Sequence, residues 1–377
     1  MNRLKLILAG LLLTFSLAFS QWNLNVRTYS SATSNLINNY KDIEDLYIAP
    51  SLQISRMNQD FTFYYRGSTI NMINNPIYNR NYHNLGLNYY KDINQDFYFS
   101  AGGKLSLRRN HDEYSYYNYN KVSAFAKFKY YPVYYAYVKY GGSLISKQFE
   151  EEDAWNHSEY SFWTQFNLSL PTRTTLRAYF NYRYRNFAPY DYIYDGLRYS
   201  GEISSLWLLI SKMRVAQSLG NRVGIFSEFS YHYNPSEGNP YEVEIDSFSP
   251  IDDYFGYKGW SWENNAKVKL GQSLFSELNV NFYHRKYLNR PVYQYDFTTE
   301  EWKLDDEGYY IIEESNRVDT GYRAQLSAEY KLERLFEKAS NLNLEWFFYY
   351  QNNSSNDPYF DYEDVGTGLN INYNLQW

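Results

Sequence analysis

The sequence predicts an all-β fold: a closed antiparallel transmembrane β-barrel of about 16 strands (roughly 14–18), with short turns at one end and long loops at the other. Three observations predict it. Aromatic residues make up 21% of the 377 residues, 46 of them Tyr, yet the mean hydropathy is −0.65. A barrel reconciles the two, because its outside needs apolar side chains and aromatic girdles while its inside and loops are polar. Long stretches alternate apolar and polar residues with period two, the signature of strands with one greasy and one wet face. Tight turns and long polar loops then follow each other in regular succession.

Taken in order, Trp22, Leu24, Val26 and Thr28 alternate with Asn23, Asn25 and Arg27 as a first strand. After a polar stretch the chain returns through Ile48–Ile54, where Pro50 lacks a ladder donor and predicts a bulge. A tight turn at 57–60 leads to Phe61–Arg66, a longer loop at 71–81 to Leu85–Tyr89, and a turn at 92–96 to Phe97–Leu107. Lys121–Tyr131 comes back, bent at Pro132. The remaining strands are expected at Val133–Ser146, Tyr160–Leu170, Thr175–Phe187, Leu197–Ser218, Val223–Tyr233, Trp260–Leu270, Leu278–Leu288, Tyr322–Leu332 and Leu342–Gln351. The closing strand is Val365–Trp377. The longest loops are 234–258 and 289–316, where Tyr309–Ile312 is set to pair with Val292–Phe297. Residues 333–339 read as a helical turn. The even strand count puts both ends of the barrel on the tight-turn side, and no plug domain is expected before the first strand.

Residues 1–20 read as a secretory signal, leaving 21–377 as one barrel domain. Arg3 and Lys5 give the positive start, Leu4–Phe19 the apolar run, and Ala18-Phe19-Ser20 the small-x-small cleavage site. The run is too short for a convincing anchor, and the longest later apolar run is only Leu206–Ile210. Without the signal, 34 of the 36 basic side chains remain against 42 acidic ones, a net of −8 with His neutral. An acidic balance argues against nucleic-acid binding. The absence of cysteine excludes disulfides, thiolate metal sites and an N-terminal lipidated Cys.

In the closing strand Val365, Thr367, Leu369, Ile371, Tyr373, Leu375 and Trp377 share one face; Gly, Asn and Gln fill the other. A strand ending on an aromatic residue resembles the C-terminal insertion signal of bacterial outer-membrane β-barrel proteins. Those usually end in Phe, so Trp377 departs from the pattern while keeping a ring. The resemblance is to the porin-like superfamily and to no specific family within it. It implies the outer membrane of a Gram-negative bacterial cell, with periplasmic tight turns and extracellular loops. Outer-membrane lipids become partners, as does the barrel assembly machinery, which would read Tyr373, Leu375 and Trp377. A homo-oligomer is left open.

Because charge on the lipid side is costly, alternation also sorts the basic residues. Arg66, Lys104, Lys127, Lys129, Arg177, Arg183, Arg185, Lys267, Lys269 and Arg323 are expected to line the interior, as are Arg27, Lys139, Arg285 and Lys331. Inward acids are expected to be fewer: Glu228, Glu263, Glu329 and Glu345. Asp305, Asp306 and other acids crowd the long loops. The pattern reads as a basic lumen beneath an acidic mouth, or as a solvated wall whose charges simply pair. Trp163, Tyr64, Tyr135, Tyr137, Tyr179, Phe347 and Tyr349 are assigned to the interior, as a stacking track or as bracing.

The five histidines show no spacing suited to a metal, and no cofactor is implied. His157-Ser158-Glu159 and His111-Asp112-Glu113 hold the residue types of a rim hydrolase, but adjacent strand residues point to opposite faces, so no enzyme is expected. The aspartates around Tyr190–Gly196 and Asp357–Tyr362 match no calcium-loop spacing and read as solvated loop tips. The resulting expectation is a porin-like channel for passive transport of small hydrophilic solutes, weakly anion-preferring. The alternative is a structural or surface-binding barrel whose long loops contact an extracellular partner.

Overall fold

The computed structural model describes residues 21–36, 38, 43–151, 153–194, 197–201, 205–235, 256–296, 298–299, 301–306, 311–332 and 342–376. The expected signal, Trp377, the helical turn at 333–339 and most of the 234–258 loop lie outside these residues.

The first nine staves are β1 (Gln21–Thr33), β2 (Asp45–Met57), β3 (Phe61–Met72), β4 (Arg80–Asp92), β5 (Phe97–Asn110), β6 (Tyr119–Val133), β7 (Ala136–Phe149), β8 (His157–Ser169) and β9 (Thr174–Phe187). A separate hairpin, β10 (Tyr190–Tyr194) and β11 (Leu197–Gly201), precedes β12 (Leu206–Leu219), β13 (Val223–Tyr233), β14 (Tyr257–Lys269) and β15 (Leu274–Tyr293). A second small pair, β16 (Tyr295–Asp296) and β17 (Glu301–Trp302), precedes β18 (Ile312–Lys331), β19 (Leu342–Ser355) and β20 (Tyr362–Gln376). Leaving out the two small pairs, 16 strands form one closed barrel, each antiparallel to the next, and β20 closes on β1. No helix among the described residues is long and apolar enough to cross a membrane; this chain crosses with strands.

Register fixes which face is which. Val26 opposes Tyr373 and Leu52, and Leu24 opposes Leu375 and Ile54, so apolar residues meet apolar residues across the seam. The same parity passes round the ring through Leu105↔Val122, Leu144↔Tyr160, Phe229↔Trp262 and Leu326↔Phe348. These side chains are exposed, with Val122 at 58% and Phe162 at 61%, as an outside facing lipid requires. Rings gather near both edges of the band. Phe97, Phe99, Phe128 and Tyr140 cluster by the short turns, and Tyr160, Tyr182, Tyr184 and Trp207 by the long loops. Such girdles suit rings that are apolar in body and polar at the tip.

Several expectations need correction. Leu197–Ser218 is not one strand: Leu197–Gly201 belongs to the outer hairpin, and the stave begins at Leu206. Pro50 makes no bulge. The β2–β3 register is the same at Ile48↔Asn71 and Ser51↔Ser68; Ala49 and Pro50 simply miss their pairs. β15 and β18 run on past the membrane band, through Tyr293↔Ile312, so their connection is shorter than the 289–316 loop expected. Tyr135 lies in the turn between β6 and β7, off the inner wall. Asp357 is no solvated tip. It is 2% exposed and accepts the Tyr359 N–H at 3.1 Å, capping a short 3-10 turn. Burial raises its carboxyl above the usual range, against the pull of Arg317.

Candidate functional site: the inner wall

The face opposite the apolar band carries the charge. On β5 to β9 it presents Lys104, Arg108, Lys121, Lys127, Lys129, Lys139, Lys147, Arg177, Arg183 and Arg185, ten cations, against the single carboxylate Glu159. Some stand directly opposite one another: Lys129↔Lys139 and Lys121↔Lys147 on neighbouring strands, and Arg177↔Arg214 where β9 meets β12. Like charges facing across a ladder are destabilising.

Lys127, Lys129 and Lys139 have no carboxylate at ion-pair distance among the described residues. Rings surround them instead. The Lys129 ammonium sits 4.3 Å from the Tyr131 ring centroid and 4.5 Å from that of Tyr137, and Lys139 lies 5.2 Å from the same Tyr137 ring. Lys127 lies 5.5 Å from Phe125. Each contact contributes about 0.5–1 kcal/mol where water reaches it. Lys129, Lys127 and Arg177 are all close enough to repel the charge on Lys139. Gly141, between Lys127 and Trp163 in the ladder, is what lets the indole lie flat. A Cβ there would stand 2.9 Å from Trp163 Cζ2 and 2.9 Å from Lys127 Cβ.

From β8 onward the charges begin to pair. Glu159 holds Arg185 at 3.2 Å and Arg183 at 3.7 Å. Glu228 on β13 accepts from Arg214 at 2.6 Å and lies 3.7 Å from Lys212. Arg177, Arg183, Lys212, Arg214 and Glu228 share a recess of about 450 Å³ with Gln165, Tyr179 and Asn181. From β13 to β19, Lys267, Lys269, Arg285, Arg317, Arg323 and Lys331 share the inner face with six acids: Glu228, Glu263, Glu277, Asp319, Glu329 and Glu345. Lys267 bridges Glu277 and Glu329 at 3.3 and 3.6 Å. Near the outer mouth Arg317 grips Asp319 at 2.8 and 2.5 Å, with its guanidinium 3.4 Å from the Phe360 ring centroid.

Each basic residue expected inside occupies the parity opposite the apolar band. Arg66 pairs in register with Gln53 and Asn84, Lys104 with Gly86 and Ser123, and Arg323 with Asn281 and Gln351. Lys127, Lys129 and Arg177 come together around Lys139. Arg183 and Arg185 converge on Glu159, and Lys267 joins Glu277 and Glu329, with Lys269 near the same Phe275 ring. Arg323 stands over Tyr349, eight strands from β6 in the ring of 16. Tyr373 and Leu375 sit outward on β20, opposite Val26 and Leu24.

Glu159, Glu277, Asp319, Lys212 and Arg214 were missed. Glu159 shares parity with Trp163 and was legible from it. Lys212 and Arg214 were obscured because Leu206, Leu208 and Ile210 face inward and lie buried with Phe187, while Trp207 and Leu209 face lipid, so both faces of that stretch are apolar. Of the hydrolase residue types, His157 and Glu159 turn inward and Ser158 outward; His157 Nδ1 lies 2.8 Å from the Trp155 carbonyl. Among the described residues no cluster of His, Asp and Glu could hold a metal.

No protein-family model and no curated sequence relative matches the chain. Solved structures do. Pseudomonas aeruginosa OprD matches with a TM-score of 0.51 at 12% identity, over 95% of both chains. P. aeruginosa OccK1 (OpdK) matches at 0.51 and 10%, over 95% of this chain and 99% of its own. Acinetobacter baumannii OccAB4 matches at 0.51 and 9%, over 96% and 99%. At such identities the likeness is one of architecture. The fold is the closed 16-strand barrel of outer-membrane porins.

Proposed function

We propose that the chain is a porin-like channel of the bacterial outer membrane, passing small hydrophilic solutes by diffusion with a weak preference for anions. The observation that carries this reading is the β5–β9 wall, ten cations to one carboxylate on the inside of a closed barrel. Sixteen strands are enough to enclose an aqueous lumen. Fixed positive charge on its wall raises the local anion concentration and repels cations. Exposed acids at the mouth, such as Asp305 and Asp306, draw cations but are more fully screened. In this reading the fourteen basic residues picked out by alternation line the path, and Lys212 and Arg214 join them. Residues 1–20 direct export, and the assembly machinery reads the outward face of β20. Single-channel recording in planar bilayers tests the proposal: folded protein that never conducts would overturn it.

A second reading, a barrel that binds a partner at the cell surface, draws support from β10–β11 and β16–β17, two small sheets that are not part of the barrel's own sheet. Deleting residues 297–315 separates the two. Lost surface binding with unchanged conductance favours the second reading, and altered conductance the first.

A further inference from the structure

The lipid-facing row of β14 reads Lys258, Trp260, Trp262, Asn264, Ala266 and Val268, with Asn264 in its apolar middle. Its ladder neighbours on the same face are Ser227 of β13 and Val280 of β15. Several hydroxyls on this face are tied down. Ser30, Thr164 and Ser276 donate to the carbonyls of Leu369, Lys139 and Ser327, and Ser227 accepts from the Trp262 indole at 2.7 Å. Asn264 is different. Among the described residues it is the one carboxamide in the middle of the apolar band, and its side chain makes no hydrogen bond within the chain. It borders a groove of about 350 Å³, floored by the small side chains of Ser227 and Ala266 and walled by Val215, Ile225 and Leu278.

A carboxamide has two donors and an acceptor with two lone pairs, and hydrocarbon satisfies none of them. An acyl chain can fill the groove but cannot bond the amide. An identical amide can do both: two Asn side chains face to face exchange N–H···O=C bonds in both directions. A two-fold axis along the membrane normal brings each residue opposite its own copy at one depth. Small residues that permit close approach, with a polar side chain as glue, are what lateral association inside a membrane uses. The one charged side chain of the β14 row, Lys258, stands six residues from Asn264 at the end of the strand beside the long loop, away from the groove. We infer that this groove is the contact surface for a second copy of the chain, in a two-fold dimer centred on Asn264. The inference does not depend on what the lumen conducts.

The chain has no cysteine, so a single introduced thiol reports one position cleanly. With Asn264→Cys in native outer membranes under mild oxidation, a 264–264 disulfide dimer is expected as the main cross-linked species. Val122→Cys, equally lipid-facing but six strands away round the ring, should give little. Asn264→Leu should weaken dimerisation in detergent about tenfold, the size of one hydrogen bond between membrane segments. Its heat-modifiable mobility should stay that of the parent, which separates lost contact from lost fold. Cross-linking of Asn264→Cys no greater than that of Val122→Cys, a cross-link to a different protein, or a monomer that Asn264→Leu leaves unchanged would each overturn the dimer.

Discussion

Between β5 and β9 ten cations face the lumen with Glu159 as their one carboxylate; between β13 and β19 six cations face six carboxylates. The second wall balances its charges in number and pairs part of them directly. Lys267 has two acids, Asp319 has Arg317 and Ser355 Oγ, and Glu345 and Glu263 accept from Asn370 and Asn279. The first wall does not balance its charges. Lys129 and Lys139 face each other with rings for neighbours and no carboxylate at ion-pair distance among the described residues. A barrel selected only for stability would have interleaved acids there, since like charges opposite one another cost free energy. The difference fits the proposed channel, in which the mixed wall would hold the barrel together and the basic wall would supply the field that favours anions.

The largest expected effect tests the structural half. Asp319→Ala leaves Arg317 buried beside Tyr287 and Phe360 with its partner gone, and should cost roughly 3–5 kcal/mol. Lys139→Gln on the other wall removes the repulsion from Lys129 together with one ring contact to Tyr137, and should be close to neutral. Heat-modifiable mobility of the two variants checks this; equal losses would erase the distinction between the walls.

Next in size is the field. Replacing Lys127, Lys129 and Lys139 together by Gln should move the reversal potential in a salt gradient toward cations, with folding unharmed. An unmoved potential through an open channel would mean that these lysines lie off the path. Replacing Arg177, Arg183 and Arg185 by Gln should shift the potential the same way and also lower stability, because Glu159 is then left buried without Arg183 and Arg185. A shift without that loss would place Glu159 in solvent. The smallest effect is screening. The Debye length is about 10 Å at 0.1 M salt and about 3 Å at 1 M, so anion preference should fade as salt rises. Preference that persists at 1 M would point to direct binding of the anion rather than to the wall's field.

Much of this was written along the chain. Alternation at Val122–Tyr130 and Leu176–Arg185 needs no tertiary information, because a strand in lipid cannot put Lys127 or Arg183 outside. Parity therefore assigned those residues, and the rhythm of turns and loops supplied the strand number. The seam was legible too, since Val365 to Leu375 has one apolar face to offer β1. Where both faces are apolar, as at Leu206–Ile210, alternation is silent, and β11 was merged into a stave.

What the sequence alone determined is therefore the side of the wall on which each side chain stands. What only the closed barrel decided is who its neighbours are. Nothing local tells Lys139 that Lys129 opposes it, or Lys267 that Glu277 and Glu329 are within reach, because register and closure set those pairings across separate strands. Period two fixes a face from one strand's own geometry, whereas charge neutralisation falls steeply with distance and needs the positions of at least two.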